Sequence, residues 1–214
     1  MLFRSEDIYE YGIKIGRINY RLDHLKLMEN NKWKEIKGTE TFQLSEDTLI
    51  YDSQLKETIP ASYFISSRYI DLRDIRNREL RERVEDNFYK NKTAYFVVKK
   101  SPFGNELLAL NLTPHIRDYR QNVNLDHCTI GEIKDINIED NTISFTKVKN
   151  FNTLNNRWEN SPDQEISIDT ATILLNHVPI PGDKLYLIPK GSKAYIVKNK
   201  TSSRDTGYVI LLEH

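Results

Sequence analysis

Short apolar segments that alternate with turn residues are the feature that most constrains the fold, and they are most regular after residue 126. Segments 130–138 and 142–148 flank Glu139-Asp140-Asn141, and a short connection of this kind between two alternating segments is typical of a β-hairpin. A third segment is predicted over 166–175, with Ile166 and Ile168 followed by Ala171 to Leu175, and further strands are predicted at 184–188, 194–197 and 208–212. Five or six short strands within about ninety residues is the size of a small closed β-barrel.

The N-terminal half is also rich in strand patterns but contains a predicted helix. Alternating apolar residues over 8–50 predict a β-meander, and segments 94–98 and 107–112 predict a second hairpin. Residues 71–90 have apolar residues near one helical face and charges elsewhere, which predicts an amphipathic helix. The expected fold class is mainly β, or β-rich α+β.

The domain organisation follows from the change in pattern. A polar stretch before residue 125 separates a β-rich region with one charged helix, 1–124, from the predicted barrel, 125–214. We find no fixed-period repeat along the chain.

Charge balance and cysteine content exclude several classes of protein. The chain has 31 basic and 31 acidic residues, whereas a dedicated nucleic-acid-binding domain usually has a basic excess. The single cysteine, Cys128, excludes an intrachain disulfide. The N-terminal residues lack a signal-peptide pattern and no stretch is long enough to span a membrane, so we expect cytoplasmic synthesis without secretion and no membrane partner.

Motifs for common catalytic centres are absent from the sequence. The chain has no G-x-S-x-G, P-loop, H-E-x-x-H or C-x-x-C pattern. His127 and Cys128 are adjacent, and neighbours in a strand point to opposite faces, so they do not form a metal site together. We therefore expect no catalytic residue, no metal and no cofactor.

Two E-x-K triplets leave a metal-dependent nuclease as a third, less favoured hypothesis. They are Glu35-Ile36-Lys37, downstream of Asp23, and Glu132-Ile133-Lys134, downstream of Asp118. A nuclease of this type places an acid and a lysine on one face of a strand beside a metal-binding aspartate.

Aromatic residues leave a second hypothesis open. Twelve tyrosines, eight phenylalanines and two tryptophans are interleaved with lysines in the strands. On an open barrel face such rings stack unpaired bases, which is the basis of the nucleic-acid alternative. Aromatic residues are also good strand residues that fill cores, and we favour that interpretation.

A long polar stretch, 150–164, interrupts the predicted barrel and is the candidate for contact with a partner. Aromatic and Arg side chains are enriched among the residues that dominate protein interfaces. The residues that we expect to contact a partner are Phe151, Asn155, Arg157 and Trp158.

A turn that contains proline and glycine precedes two apolar segments in the C-terminal part. It lies in residues 178–189, VPIPGDKLYLIP, and the second apolar segment is Tyr195-Ile196-Val197. They resemble the P-G-D-x-V strand and closing hairpin of small OB-like barrels in phage tail and baseplate proteins. The resemblance covers the C-terminal part only.

The resemblance implies a structural role in a virion or similar assembly and transfers no catalytic residue. The leading hypothesis is a non-enzymatic structural or adaptor component whose partners are other proteins, including copies of itself. An OB-like single-stranded nucleic-acid-binding protein is the alternative.

Overall fold

The computed structural model describes most of the chain, and the described part is mostly β with one short helix. The described residues are 13–19, 26–35, 42–43, 45, 47–52, 55–61, 76–85, 93–102, 104–113, 126–200 and 205–214. The chain folds into two compact units. The predicted boundary between residues 124 and 125 lies outside the described residues.

The C-terminal unit contains residue 126 onward and, from earlier in the chain, the segment Met28–Lys34. Its strands are β9 (Asp126–Asn137), β10 (Thr142–Asn152), β11 (Arg157–Asn160), β12 (Gln164–Ser167), β13 (Thr172–Leu175), β14 (Val178–Ile180), β15 (Lys193–Lys200) and β16 (Asp205–Glu213). A 3-10 helix, η1 (Gly182–Leu187), connects β14 to β15.

Five of these strands close into a barrel. In order around it, β9 pairs with β10, β10 with β12, β12 with β16, β16 with β15, and β15 with β9. The β12–β16 pair is parallel and the other four are antiparallel. This is a closed five-stranded barrel consistent with the OB-like expectation.

The barrel interior is filled by aliphatic side chains, most of them branched, and one phenylalanine, Phe145. The alternation that predicted the strands places Ala194 and Ile196 in this core, with Ile143 and Phe145 from the neighbouring hairpin. Residues 194–198 are nevertheless all buried, so β15 is buried on both of its faces.

A buried ion pair lies where the barrel closes. Lys198 follows a β-bulge in β15 and is 3% exposed. Its Nζ donates to Gln164 Oε1 of β12 and to Asp205 Oδ2 of β16, each at 2.5 Å. One ammonium group therefore bonds both strands of the parallel pair, and we refer to these three residues as the closure clamp.

The second sheet has the same strand order. Its strands are β1 (Ile13–Asn19), β2 (Lys26–Glu29), β3 (Lys32–Glu35), β4 (Phe42–Gln43), β5 (Leu49–Asp52), β6 (Glu57–Ile59), β7 (Thr93–Ser101) and β8 (Gly104–Thr113). The strand order of this sheet is β3-β2-β1-β7-β8-β5-β6, and that of the C-terminal sheet is β11-β10-β9-β15-β16-β13-β14. In addition, β4 pairs in parallel with β8, and β12 pairs in parallel with β16. The consecutive neighbours β1, β2 and β3 form the first part of the meander predicted over 8–50, whereas β4 and β5 pair in parallel with β8 and do not continue it.

The correspondence extends to register and sequence. A bulge follows Val97 in β7 and Val197 in β15. The second and third residues of both strands are Ala and Tyr. The turns NNKW at 30–33 and NNRW at 155–158 also match. The chain therefore contains two versions of one β-unit, which the search for a fixed-period repeat did not find.

Several sequence predictions differ from the structure. The single segment predicted over 166–175 is divided into β12 and β13, each of which pairs in parallel with β16. The predicted strand 184–188 is in helix η1 for all but its last residue, because Leu185 and Ile188, three residues apart, both enter the core as one face of a 3-10 helix. The resemblance to baseplate proteins was based on this segment. The strand that the resemblance implied is therefore absent, although the barrel is present.

The helix predicted over 71–90 is α1 (Arg78–Glu85) in the described residues. Residues 76 and 77 are described and are not helical. Asn77 precedes the helix and its carbonyl accepts from Arg81 N at 3.0 Å, which fits the preference of Asn for the N-cap position.

We predict that Lys198→Met lowers the free energy of unfolding of the C-terminal unit by about 2–3 kcal/mol, because hydrogen bonds to charged groups are lost and Asp205 keeps an unpaired charge. Urea unfolding monitored by tryptophan fluorescence measures this, since both tryptophans lie in this unit. Lys147→Met is the matched control: Lys147 is 71% exposed in its pair with Glu132, so it loses at most about 1 kcal/mol. Equal losses in both variants would contradict the clamp.

Candidate protein-binding arm

Most of the polar stretch 150–164 forms a β-hairpin. β10 extends to Asn152 and returns as β11, with Phe151 opposite Trp158 and Asn152 opposite Arg157. We call residues 149–160 the arm. β11 ends the sheet order, so the arm is a short two-stranded extension at one edge.

Aromatic contacts hold the base of the arm. The Phe151 and Trp158 rings meet edge to face with centroids 5.3 Å apart, and Trp158 meets Tyr195 in the same manner at 6.5 Å. Edge-to-face pairs at such distances are stabilising beyond the area that they bury. Because Tyr195 and Phe151 are buried, the arm is anchored to the barrel wall.

Side-chain hydrogen bonds order the tip. Asn152 Oδ1 accepts from the backbone amide of Leu154 at 2.9 Å, which forms an Asx-type turn. Glu159 accepts from the amide nitrogens of Asn155 at 2.7 Å and Asn152 at 3.1 Å. These hydrogen bonds, that from Asn155 foremost, lower the pKa of Glu159.

The tip presents one apolar side chain to solvent. Leu154 is 96% exposed, the highest value among the exposed large hydrophobic residues of the described chain. An ordered backbone holds this leucine, so presenting it to a partner requires little loss of backbone entropy.

The equivalent hairpin of the other sheet, β2–β3, is shorter. Asn30 and Asn31 have φ values of 48° and 58°, as a two-residue type I′ turn requires. The arm contains the same Asn-Asn pair at 155–156, preceded by two extra residues, Thr153 and Leu154. Leu154 is thus part of an insertion specific to the second hairpin.

The tip of the shorter hairpin is packed. It belongs to the C-terminal unit, where Asn31 Oδ1 accepts from the Tyr195 hydroxyl at 2.7 Å. Beside it, Met28 Sδ lies 4.0 Å from Cys128 Sγ. One hairpin of this type is therefore already used as a docking element within the unit.

The four residues predicted to bind a partner have different positions. Arg157 and Asn155 are exposed on the arm, Trp158 is half-buried, and Phe151 is buried. The structure thus brings all four together, with the aromatic pair as support and the polar pair at the surface. Sequence reasoning missed Leu154, which comparison of the two Asn-Asn turns identifies.

The residues of the second E-x-K triplet are engaged elsewhere. Glu132 pairs with Lys147 at 2.8 Å and Lys134 with Asp163 at 3.0 Å. The upstream aspartates, Asp23 and Asp118, lie outside the described residues. Within the described chain, no group of three or more His, Cys, Asp or Glu residues could hold a metal ion. Cys128 is buried.

Most aromatic rings of the described strands are buried, which agrees with the interpretation that they fill the core. Buried aromatic residues are Tyr95, Phe96, Phe145, Phe151, Tyr195 and Tyr208. The outer positions of β9, β10 and β12 hold polar and charged residues such as Ser144, Lys134 and Glu165, so these strands offer no stacking platform for bases.

No family model, curated protein or solved structure matches the chain. Helices of the described regions are all too short to cross a membrane.

We predict that Asn155→Ala moves the pKa of Glu159 up toward its ordinary value of 4.5, because the largest stabiliser of the carboxylate is lost. In the wild type the Glu159 carboxylate stabilises the tip above about pH 4.5, and this contribution is lost as the pH falls through the lowered pKa. Carbon-detected NMR titration of the side-chain carboxyl groups measures it.

Asp163 is the internal control in the same spectra. Its pKa is lowered first by the hydrogen bond from Lys134, so Asn155→Ala leaves it unchanged and Lys134→Met raises it. A Glu159 pKa that does not respond to Asn155→Ala would contradict the hydrogen-bonded tip.

Proposed function

We propose that this protein is a non-enzymatic structural or adaptor component of a larger protein assembly. The observation that carries the proposal is the ordered arm, whose tip holds Leu154 almost fully exposed. Its partners are other proteins, and a second copy of the chain is among them.

The arm combines features common in protein interfaces. Arg157 lies beside the apolar tip with its guanidinium 3.7 Å from Glu159, and Arg is enriched among hot spots. Leu154 contributes apolar area that a partner would remove from water. The matching β2–β3 hairpin supports a docking role, because its tip packs through Asn31 and Met28 on the outer side of β9 and β15.

The type of assembly is a separate part of the proposal. The closed OB-like barrel supports the tail and baseplate assignment, whereas residues 184–187 form helix η1 and not the strand that the resemblance implied. We keep a virion as the type of assembly that this protein, made in the cytoplasm, would join.

We predict that the purified chain forms a defined oligomer, and that deleting Thr153 and Leu154 lowers its mass to that of the monomer. The deletion joins Asn152 to Asn155 and reproduces the two-residue Asn-Asn turn of residues 30–31, so the hairpin can close. Light scattering over a wide concentration range measures the mass, and urea unfolding checks that the deletion variant is folded.

The control is Leu154→Met, which keeps an apolar tip and should keep the oligomer. A monomer at every concentration would remove self-association. If that monomer also bound single-stranded DNA with an affinity that falls steeply with salt, as phosphate contacts require, the nucleic-acid alternative would replace the assembly proposal.

A further inference from the structure

The closure clamp contains a buried lysine at a position where the other version of the β-unit has an apolar residue. Lys198 is 3% exposed, follows the bulge in β15 and lies opposite Gly207 of β16. The corresponding residue of the other sheet is Val98, which follows the bulge in β7, lies opposite Leu107 and is also buried. The same position of the same β-unit can therefore be filled without burying an ammonium group.

The carboxylate of the clamp is also specific to the second version. Asp205 pairs with Lys200 of β15, and the corresponding Asn105 pairs with Lys100 of β7, so β8 has a neutral amide where β16 has an acid. Replacing a buried ion pair by apolar residues is often neutral or stabilising. The presence of this pair in only one of the two versions indicates a role in addition to packing.

The clamp places an amine beside a carboxamide. Lys198 Nζ lies 2.5 Å from Gln164 Oε1. Because a C=O bond is about 1.23 Å long, Nζ is no more than about 3.7 Å from the carbonyl carbon, Cδ. Reacting atoms that are held about 3–3.5 Å apart have already lost much of the entropy that a reaction between free groups must lose. The separation of Nζ and Cδ is therefore close to that of a reactive arrangement.

Asp205 can remove the proton that makes an ammonium group unreactive. Its Oδ2 contacts the same Nζ at 2.5 Å. Burial disfavours both charges, and transfer of one proton from Nζ to Oδ2 neutralises both groups together. A neutral lysine amine is a nucleophile, and an adjacent carboxyl group can act as general base and general acid. The three side chains of the clamp thus include a nucleophile, an acyl group and a proton carrier.

We propose that Lys198 and Gln164 react with each other in the folded chain and form an isopeptide bond, with Asp205 as the proton carrier. The lone pair of the amine forms the Nζ–Cδ bond, and the electron pair of the broken Cδ–Nε2 bond leaves with Nε2. Asp205 accepts a proton from Nζ and supplies one to Nε2, so ammonia is the leaving group. The reaction needs no oxidant or cofactor and occurs once in each chain.

The product joins two strands that do not pair with each other. Gln164 is in β12 and Lys198 in β15, and β16 pairs with both, so the bond crosses β16 where the barrel closes. A cross-link of this kind converts residues 164–198 into a closed loop and restricts the unfolded chain. It is independent of the arm and suits a structural component, whose barrel would then be unable to open.

Electrospray mass spectrometry of the purified full-length chain tests the proposal, after the folded protein has been incubated at neutral pH. We expect a mass that is lower than the calculated mass by one ammonia molecule. Tandem spectra of a protease digest should contain a branched peptide with both Gln164 and Lys198. A chain that keeps the calculated mass would overturn the proposal. A mass lower by one water molecule would place the bond at Asp205 and would overturn it as well.

Two variants test the role of each partner, and the wild-type measurement does not depend on whether they fold. Lys198→Val installs the residue that β7 has at this position, and Asp205→Asn installs that of β8. Both should keep the calculated mass, and urea unfolding checks that they are folded. Loss of ammonia from Lys198→Val would indicate another reaction, such as succinimide formation at an asparagine, and would overturn the proposal. Loss from Asp205→Asn would overturn the role of Asp205.

Lys134→Met is the matched control. Lys134 also contacts a carboxylate, that of Asp163 at 3.0 Å, but its side chain is 61% exposed. This variant should lose ammonia as the wild type does, because the clamp is intact. If it kept the calculated mass, the reaction would not be specific to the buried lysine and the proposal would fail.

Discussion

The parallel pairing of β12 with β16 is the contact on which the C-terminal unit depends, because it converts a sheet into a closed barrel. Within the described residues, two register pairs form this seam, Ile166 with Asp205 and Ser167 with Thr206. Lys198 adds to the backbone pairing of this seam by bonding a side chain from each of the two strands. Burying that ammonium group is tolerable only because both partners are present. The clamp thus favours one closure over a sheet that remains open.

Two versions of one β-unit have diverged mainly in their connections. The hairpin tip is two residues longer in the second version, which produces Leu154, and the connection after the edge strand is longer in the first, which provides α1. Strand order, register and the β-bulge are shared. Surface loops accept insertions at low free-energy cost, whereas a one-residue shift in a strand would reverse its faces.

Much of the fold could be predicted from local patterns. The hairpin of β9 and β10 follows from alternation around Glu139-Asp140-Asn141, and the mainly β class from the number of such segments. The strand order could not be predicted, because the parallel pairs of β16 with β12 and β13 join residues that are far apart in the chain without a local signal. The strand predicted after Pro181, at 184–188, was wrong because four consecutive apolar residues fit a buried strand and a short helix equally well.

The candidate site was predicted only in outline. Trp158 and its neighbours were found because aromatic and Arg residues stand out in a polar stretch, but their separation into supporting and exposed residues needed the pairing register. The duplication escaped a search for a fixed period because differing connections change the spacing: Ala94 and Ala194 are 100 residues apart, whereas Trp33 and Trp158 are 125 apart.

The position of β16 in the chain affects how the protein can be made. This strand pairs with β12, β13 and β15, so the last segment of the C-terminal unit to leave the ribosome joins three strands that precede it. Until residue 213 has emerged, those strands expose unpaired edges that can join another chain. A chain truncated before Asp205 would have an open sheet, and rapid translation of the codons for β16 would shorten the time during which nascent chains can aggregate.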